Sequence, residues 1–544
     1  MKNSITRDTI NSIHPLFHTK FQSIETNSIF YGEPGERHYY LLAYIASQYQ
    51  NQTIIVTDAW QGLSSLALLF EPTNKVHSFT QYSYMNPTIC QQPNHIVHEN
   101  IHLLDPDQLQ NNRELLLNSA IIFVDHSPHC GKYEYLLYEF LLANEYKGIV
   151  ISDHVWMHKQ MRDDYWYKIP DKYRYDYSLL GNEDGTTIYT FDAENQPFLL
   201  EKPDVANWTL VTAYFNLTKC PDASKKIIER NASYYMSHSV STLCLPYNLV
   251  IYCDEDSLPM IRAIRPTEYD SMTVYRIRTF DDLAFTTCPC IDAVNELYAL
   301  SFAQYRDKIN QNRVEHPYEF DERNTASYYL FCISRYLMLI ETVDENPFQS
   351  THFAWINFCI ERMGYKNLVH LPECMLTNRE KFSTCYIDYI PLWYIQNTAT
   401  YYKRGIANMC SGFFTGNGHY MRTTCKYIIE KFLYYLKLGY GHADEQLFSP
   451  VYYDHPELFH HYYGDYTEMI TNYKYIYERP TEPIHNLMRN SFDCANYERC
   501  LDACRFVMKS IALKKCKLDE KYTAMLRYYF TESSMKLMGE GAIN

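Results

Sequence analysis

The sequence predicts an α/β protein that builds its architecture twice and closes with a helical tail. Three observations carry this. Short, continuous apolar runs alternate with helically spaced segments through the first 200 residues; the alternation restarts after a linker; and strand-like runs stop near Pro483. Runs that are apolar throughout, rather than at every second residue, mark strands buried on both faces, the parallel arrangement of a doubly wound sheet. At ~150 residues per domain, the chain allows two to four domains. The expected boundaries are 1–200, 201–482 and 483–544.

The elements follow in order. Gly35–Gln48 has helical apolar spacing, Thr53–Asp58 (TIIVTD) is a strand, Gly62–Phe70 a small-residue helix start, and Lys75–Thr80 a second strand. Ala120–Asp125 (AIIFVD), a helix from Tyr133 to Glu145, and the strands Lys147–Asp153 and Thr186–Phe191 complete the first domain. A ligand crevice is expected beyond the carboxyl ends of those strands. After the linker Asp192–Asn207, strands are expected at Trp208–Phe215, Leu249–Cys253, Phe353–Cys359 and Met409–Phe414, with helices at Ser233–Thr242, Tyr328–Val343 and Cys425–Leu438. Ala495–Leu513 and Asp519–Leu537 read as a helical pair, a cap or partner surface.

Composition narrows the function classes. The charge balance of 49 basic against 64 acidic residues leaves −15, which argues against a nonspecific grip on nucleic acid. Tyrosine is abundant, 53 residues against 17 glycines, and reads either as a carbohydrate-stacking surface or as a bias towards A/T-rich codons. The 17 cysteines are odd in number and scattered. The closest pairs, Cys288/Cys290 and Cys500/Cys504, lack a zinc-site partner, so buried free thiols are expected. The polar N-terminus lacks a signal-peptide core, and no run approaches the ~18 apolar residues of a membrane span. A cytoplasmic location is the expectation, the host cytoplasm if the source is viral.

In the first domain, the turn TIIVTDAWQGLSS has the shape of a nucleotide-binding strand–turn–helix, with Gly62 and Ser64 admitting a ligand to the backbone. A tight packing turn has the same composition. The islands IIFVDHSPHCGKYEY, GIVISDHVW, MRDDYW and YDYSLLGNEDGTTIYTF, in that order, resemble a class I S-adenosylmethionine-dependent methyltransferase family of large DNA viruses and microbes, over about residues 30–192. The resemblance implies a Rossmann-like fold, S-adenosylmethionine held by Asp58, Gly62, Ser64 and Asp125, and Asp153 and His154 near the acceptor hydroxyl. The sequence departs from the family where Asp58-Ala59 replaces Gly-Thr, Thr80 replaces the ribose-binding acid, Ser152 replaces the first acid of Asp-Asp, and Asn182 replaces a His.

In the second domain, Asp254-Glu255-Asp256 follows a strand, the place where sugar transferases hold a cation against a leaving diphosphate; a solvated acidic loop reads the same. VTAYF, VIYCDE, Arg323-Asn324-Thr325, Asn346-Pro347-Phe348, HFAWI, SGFFTG, ADEQ and the Phe459–Tyr466 segment recur in this order in the HtrL/YibB glycosyltransferase-like family, which the chain resembles over about 208–475. That resemblance implies a GT-A-like nucleotide-diphospho-sugar fold. It places Thr212 and Tyr214 under the nucleotide, and Asp254, Asn324, Arg335, Gly412 and Gln446 around the donor. Asp254, Asn357 and His461 (with His460 as the neighbouring choice) are the expected metal ligands, for Mn²⁺ or Mg²⁺, a surface or core role being the bland alternative for either histidine. Asn357 stands where the family has a carboxylate. Gly412 and Gly416 would admit the acceptor, and Asp444 would be its base, the bland alternative for Asp444 being a helix cap.

The reading is a bifunctional enzyme of glycan assembly. It transfers a sugar from a UDP- or GDP-linked donor to a glycan or glycoprotein and O-methylates the glycan. The expected partners exclude nucleic acid and a membrane span, and a homo-oligomer is compatible with the chain. Two alternatives stay open: a glycosyltransferase with a non-catalytic first domain, and a non-enzymatic carbohydrate-binding or structural protein.

Overall fold

A computed structural model describes residues 2–24, 26, 30–32, 38–81, 85–182, 184–285, 300–317, 321–364, 368–377, 380–403, 405–406, 408–440, 444–477, 480 and 482–541. Gly35, Cys288, Cys290 and the Gly441–Ala443 part of the GHADEQ segment lie outside them. The chain divides into two compact units, Met1–Pro203 and Asp204–Asn544. Each is mixed α/β on a seven-stranded, mainly parallel sheet.

The first sheet contains β1 (Thr53–Val56), β2 (Lys75–Thr80), β3 (His95–Glu99), β4 (Ile121–Val124), β5 (Ile149–Ser152), β6 (Arg174–Asp176) and β7 (Thr187–Tyr189). Their order is β3-β2-β1-β4-β5-β7-β6, with β7 antiparallel to both of its neighbours. The side-chain period of two divides each central strand between two cores. Ile54, Val56, Ile121, Phe123, Ile149 and Ile151 join the helix His38–Ser47 on one face. Ile55, Ile122, Val124 and Val150 join Leu137, Tyr138 and Leu141 of the helix Lys132–Ala143 on the other.

The second sheet contains β8 (Trp208–Tyr214), β9 (Asn248–Cys253), β10 (Thr273–Ile277), β11 (His352–Ile356), β12 (Phe382–Tyr386), β13 (Met409–Asn417) and β14 (Phe459–Tyr463). The order is β10-β9-β8-β11-β13-β12-β14, and β13 is antiparallel to β11 and β12. Val211, Ala213, Phe353 and Trp355 face the helices Ala326–Glu345 and Gly418–Lys437; Leu210, Ala354 and Ile356 face the other side. The helices Glu482–Asp493, Tyr497–Ala512 and Glu520–Gly541 belong to the same unit, because Leu487, Cys504, Val507 and Leu526 enter the core that Val211 and Trp355 share.

Counted from the first strand of each unit, both sheets begin 3-2-1-4. Chain direction across the sheet reverses between the first and fourth strands, which opens a crevice beyond their carboxyl ends. In the first unit this switch point lies between β1 and β4, in the second between β8 and β11. No helix among the described residues is long and apolar enough to cross a membrane.

The expected segment Ser233–Thr242 is two short helices, Ala232–Met236 and Val240–Leu243, because Ser239 turns back and donates its hydroxyl to the Met236 carbonyl. Gly416 is a close-packing position rather than an opening for an acceptor. A Cβ there would stand 2.6 Å from the Lys381 carbonyl oxygen and 3.3 Å from Phe382 Cα. Backbone cannot swing aside, so Gly416→Ala is expected to cost about 1–3 kcal/mol, read as a lower urea midpoint. Gly405→Ala, with nothing within 4 Å of its Cβ, should leave the midpoint unchanged.

Candidate functional site

At the first switch point, Asp58 follows β1 and Asp125 follows β4. Together with Tyr39, Trp60, Gly62 and Ser64 they line one cleft of about 160 Å³. That is below the ~300 Å³ of a typical small-molecule pocket, so one moiety of a larger ligand fits inside. The four residues expected to hold a nucleoside cofactor therefore border a single cavity. Gly62 sits at φ +86°, a left-handed conformation that β-carbons resist, and a Cβ there would meet Met85 Cε at 2.9 Å. The helix Leu63–Leu68 that it opens has six residues, too short to lend the cleft much of a dipole.

The Asp58 carboxylate accepts hydrogen bonds from the backbone N–H groups of Ser127 and Gln81, tying together the ends of β4 and β2. Burial is the largest influence on it and pushes its pKa up to about 6. Trp60 is 57% exposed and borders the cleft. Thr80, at the end of β2, is buried; the acid that the methyltransferase resemblance expects there is absent, and Asp58 and Asp125 are the carboxylates on the cleft.

Beside the cleft, at the end of β5, Asp153 is fully buried. Its Oδ2 lies 3.3 Å from His38 Nδ1 and 3.4 Å from His154 Nδ1. Oδ1 accepts from Asn182 Nδ2 at 3.4 Å and Thr186 Oγ1 at 3.5 Å. A residue so enclosed holds its neighbours in place and does not itself reach an acceptor. His154 Nδ1 is 3.4 Å from Asp125 Oδ1. Burial works against charge on this imidazole, but its hydrogen bond to Asp125 and the charge of Asp153 win and push its pKa up to about 9. Asp125 is correspondingly lowered despite burial. Sequence reasoning missed His38 and His129. Their signal, a histidine in the HSPHC loop and one at the start of the helix His38–Ser47, carries no spacing that marks a site.

In the second unit the switch point lies between Phe215-Asn216 and Asn357. Asp254 is committed there: Oδ2 accepts from Asn216 N at 2.7 Å, and Oδ1 from Ser257 N at 3.0 Å and Ser257 Oγ at 2.8 Å. Asn357 Oδ1 accepts from Cys359 N at 2.9 Å. His461 lies on β14, five strand positions from β9, roughly 24 Å at ~4.8 Å per strand. It packs among Tyr463, Arg499 and Asp502. Asp254, Asn357 and His461 therefore do not assemble around one cation, and the divalent cation expected there does not fit them.

Thr212 and Tyr214 are buried, Tyr214 between Tyr235 and Phe358, so neither offers a face to a nucleotide in this arrangement. Asn324 sits just before the helix Ala326–Glu345, its backbone N–H on the Asp321 carbonyl and its own carbonyl accepting from Arg313. A Cβ on Gly412 would meet Met363 Sδ at 2.6 Å, so this glycine fits packing rather than ligand approach. Gln446 is buried and donates Nε2 to the Tyr401 carbonyl at 2.9 Å.

Arg335 and Asp444 do come together. Arg335 Nη1 is 3.3 Å from Asp444 Oδ2 and donates to the Ser411 carbonyl at 2.7 Å. Its guanidinium carbon lies 5.2 Å from the centre of the Trp355 ring. Tyr336 Oη donates to Asp444 at 3.3 Å. Asp444 is held in this cluster, with a side chain 3% exposed. Burial and the adjacent Glu445 carboxyl push its pKa up against the pull of Arg335, while Glu445 is lowered through its hydrogen bond to Asp444. Glu445 is the more open of the two and accepts from Ser411 Oγ at 2.9 Å and Tyr466 Oη at 2.8 Å. The cluster stands at the switch-point end of the sheet, since the antiparallel β13 brings Gly412 to accept from Asn357 N at 2.8 Å. Sequence reasoning placed the chemistry on Asp444; the neighbouring carboxylate in the same ADEQ segment is the accessible one.

A family model described as "Bacterial protein of unknown function (HtrL_YibB)" matches residues 206–474, so the second unit is similar to that family. No curated protein matches the chain. Among solved structures, a Streptococcus mutans protein assigned as a SAM-dependent methyltransferase is similar at 12% identity and a TM-score of 0.21, covering 28% of this chain and 47% of that one. The chain thus spans about half of that protein's length. The apo form of mouse xyloside xylosyltransferase 1 is similar at 11% identity and a TM-score of 0.26, covering 46% of this chain and 84% of that one. Likeness at these scores carries no argument about activity.

Replacing Arg335 by Met removes the cation that Asp444 and the Ser411 carbonyl face. Breaking a buried ion pair from one side typically costs about 3–5 kcal/mol, and Arg335→Met is expected to lose that much stability in a denaturant titration. A loss under 1 kcal/mol would show that the pair is not holding these elements together.

Proposed function

We propose that the chain is a transferase of glycan assembly whose first unit takes S-adenosylmethionine in the switch-point cleft and methylates a hydroxyl of its acceptor. The observation that carries this is the convergence of Asp58, Gly62, Ser64 and Asp125 on one cleft, with His154 at its side. When bound, the cofactor supplies the methyl group. The chain's own residues bind and orient: Asp58 accepts from cofactor hydroxyl or amino groups, Trp60 offers a ring face, and Gly62 lets the ligand approach the backbone. Asp125 and His154 hold the acceptor hydroxyl by hydrogen bonds, and Asp153 with His38 fixes His154 from behind.

A second activity, sugar transfer from a UDP- or GDP-linked donor by the second unit, rests on a separate observation. The carboxyl pair Asp444/Glu445 lies beside Arg335 at the switch-point end of β11 and β13. Two carboxyls whose environments push their pKa values apart are the usual arrangement for acid–base work. Glu445, rather than Asp444, is the member that meets an acceptor hydroxyl.

Isothermal titration of the full chain with S-adenosylmethionine should give micromolar binding. Asp58→Asn should weaken it ~10–100-fold, the equivalent of one charge-assisted hydrogen bond at ~1.5–3 kcal/mol. No heat in the micromolar range, or binding indifferent to Asp58→Asn, contradicts the cofactor site. For the second activity, a panel of nucleotide sugars with and without Mn²⁺ should yield released nucleotide, and Glu445→Gln should lower turnover ~10²-fold or more. Undiminished turnover removes Glu445 from the chemistry, and silence across the panel removes the activity.

A further inference from the structure

Asp125 follows β4, His129 stands four residues later in the same loop, and His154 follows β5. One ligand atom from each of the three lies within 4.8 Å of the other two, and among the described residues no other group of three His, Cys, Asp or Glu side chains does this. His129 Nε2 is 3.6 Å and His154 Nδ1 is 3.4 Å from the same oxygen, Asp125 Oδ1. Ligands ~2.1 Å from an ion at tetrahedral angles stand about 3.4 Å apart, so the observed spacings are those of a site that needs little movement to close on a cation. The two imidazole rings are 5.0 Å apart, and His158 stacks behind His129.

A second observation points the same way. Asp153 is fully buried, its Oδ2 accepts no hydrogen bond of good geometry, and that oxygen lies between His38 Nδ1 at 3.3 Å and His154 Nδ1 at 3.4 Å. His129 Nδ1 is likewise buried without a hydrogen bond. Binding a cation through the two imidazoles requires both to be neutral, so His154 gives up its proton; the two carboxylates beside them then carry a charge of about −2, which a single divalent cation balances.

We propose that Asp125, His129 and His154 form a binding site for one divalent transition-metal ion, with Asp153 as the adjoining carboxylate. Two imidazoles among three ligands favour Zn²⁺, Fe²⁺, Co²⁺ or Ni²⁺ over Mg²⁺ or Ca²⁺, which take all-oxygen sets. Three protein ligands leave coordination positions open, as in metal sites that also bind water or substrate. Asp125 also lines the cleft, so with an ion bound an oxygen donor entering there, such as the acceptor hydroxyl, meets the ion in place of the Asp125 and His154 side chains. The site is held by side chains alone and does not depend on the cofactor reading.

The test uses the full chain without an affinity tag, stripped with a chelator and titrated with Co²⁺ in the absence of S-adenosylmethionine. One equivalent should bind with visible d–d absorption and raise the melting temperature, and excess Mg²⁺ should not displace it. His129 lies in a loop with its side chain 17% exposed, so His129→Ala should leave the melting temperature of the stripped protein unchanged while weakening Co²⁺ binding ~100-fold or more. Asp125→Asn, a near-isosteric change, should weaken it in the same way and stands in if His129→Ala fails to fold. No stoichiometric Co²⁺ spectrum, or binding unweakened by His129→Ala and Asp125→Asn, overturns the site. Displacement by equimolar Mg²⁺ overturns the assignment of metal class. Leaving the cofactor out keeps failure here distinct from failure to bind S-adenosylmethionine.

Discussion

The central strands β1, β4 and β5 are buried along nearly their whole length on both faces, and β8, β9 and β11 repeat that condition in the second unit. Such a strand spends its side chains on two cores, Ile54 and Val56 on one side of β1 and Ile55 on the other. Polar chemistry is therefore confined to the residue or two that emerge at the carboxyl end. Asp58, Asp125 and His154 stand at those positions in the first sheet, and Asp254 and Asn357 in the second. The same constraint has different outcomes in the two units. In the first, the emerging groups face a cleft or one another. In the second, Asp254 and Asn357 are used to hold the turns that follow, and the open carboxylate comes instead from Glu445, brought to that end by the reversed strand β13.

The abundance of tyrosine also has a physical place. Among the described residues, the largest fully buried side chains are all tyrosines, from Tyr40 to Tyr462. Several anchor distant segments through the phenol: Tyr252 Oη donates to the Met338 carbonyl and Tyr401 Oη to the Gln446 carbonyl. A buried phenol fills volume and also satisfies a carbonyl that would otherwise be stranded. Tyr252 serves the core in this way, and Tyr214 does so by packing between Tyr235 and Phe358 rather than against a ligand.

The fold was legible where burial made the signal simple. TIIVTD, AIIFVD, KGIVISD and LVIYC stand out because interior parallel strands are apolar at every position. The edge strands β3 (HIVHE), β10 (TVYRI) and β14 (FHHYY) are half exposed and mixed in composition, and β12 (FSTCY) is buried but rich in small polar residues. None of these has a run that periodicity picks out. The sites divide in the same manner. Asp58, Gly62, Ser64 and Asp125 follow directly from strand ends and could be named from the sequence. The His129–His154 pairing joins two loops, and the commitment of Asp254 to Asn216 and Ser257 depends on side-chain direction, so neither has a counterpart in linear spacing. Gly412 looked open because glycine is small; the Met363 thioether occupies that space.

The central claim is that the first switch-point cleft is a nucleoside cofactor site. The most direct test is a crystal structure of the full chain with S-adenosylhomocysteine. The account predicts the ligand in the cleft between Asp58 and Asp125, with Trp60 against it and Gly62 beneath it. A structure with the cleft empty and the ligand bound elsewhere, or with no ligand bound at saturating concentration, would contradict it.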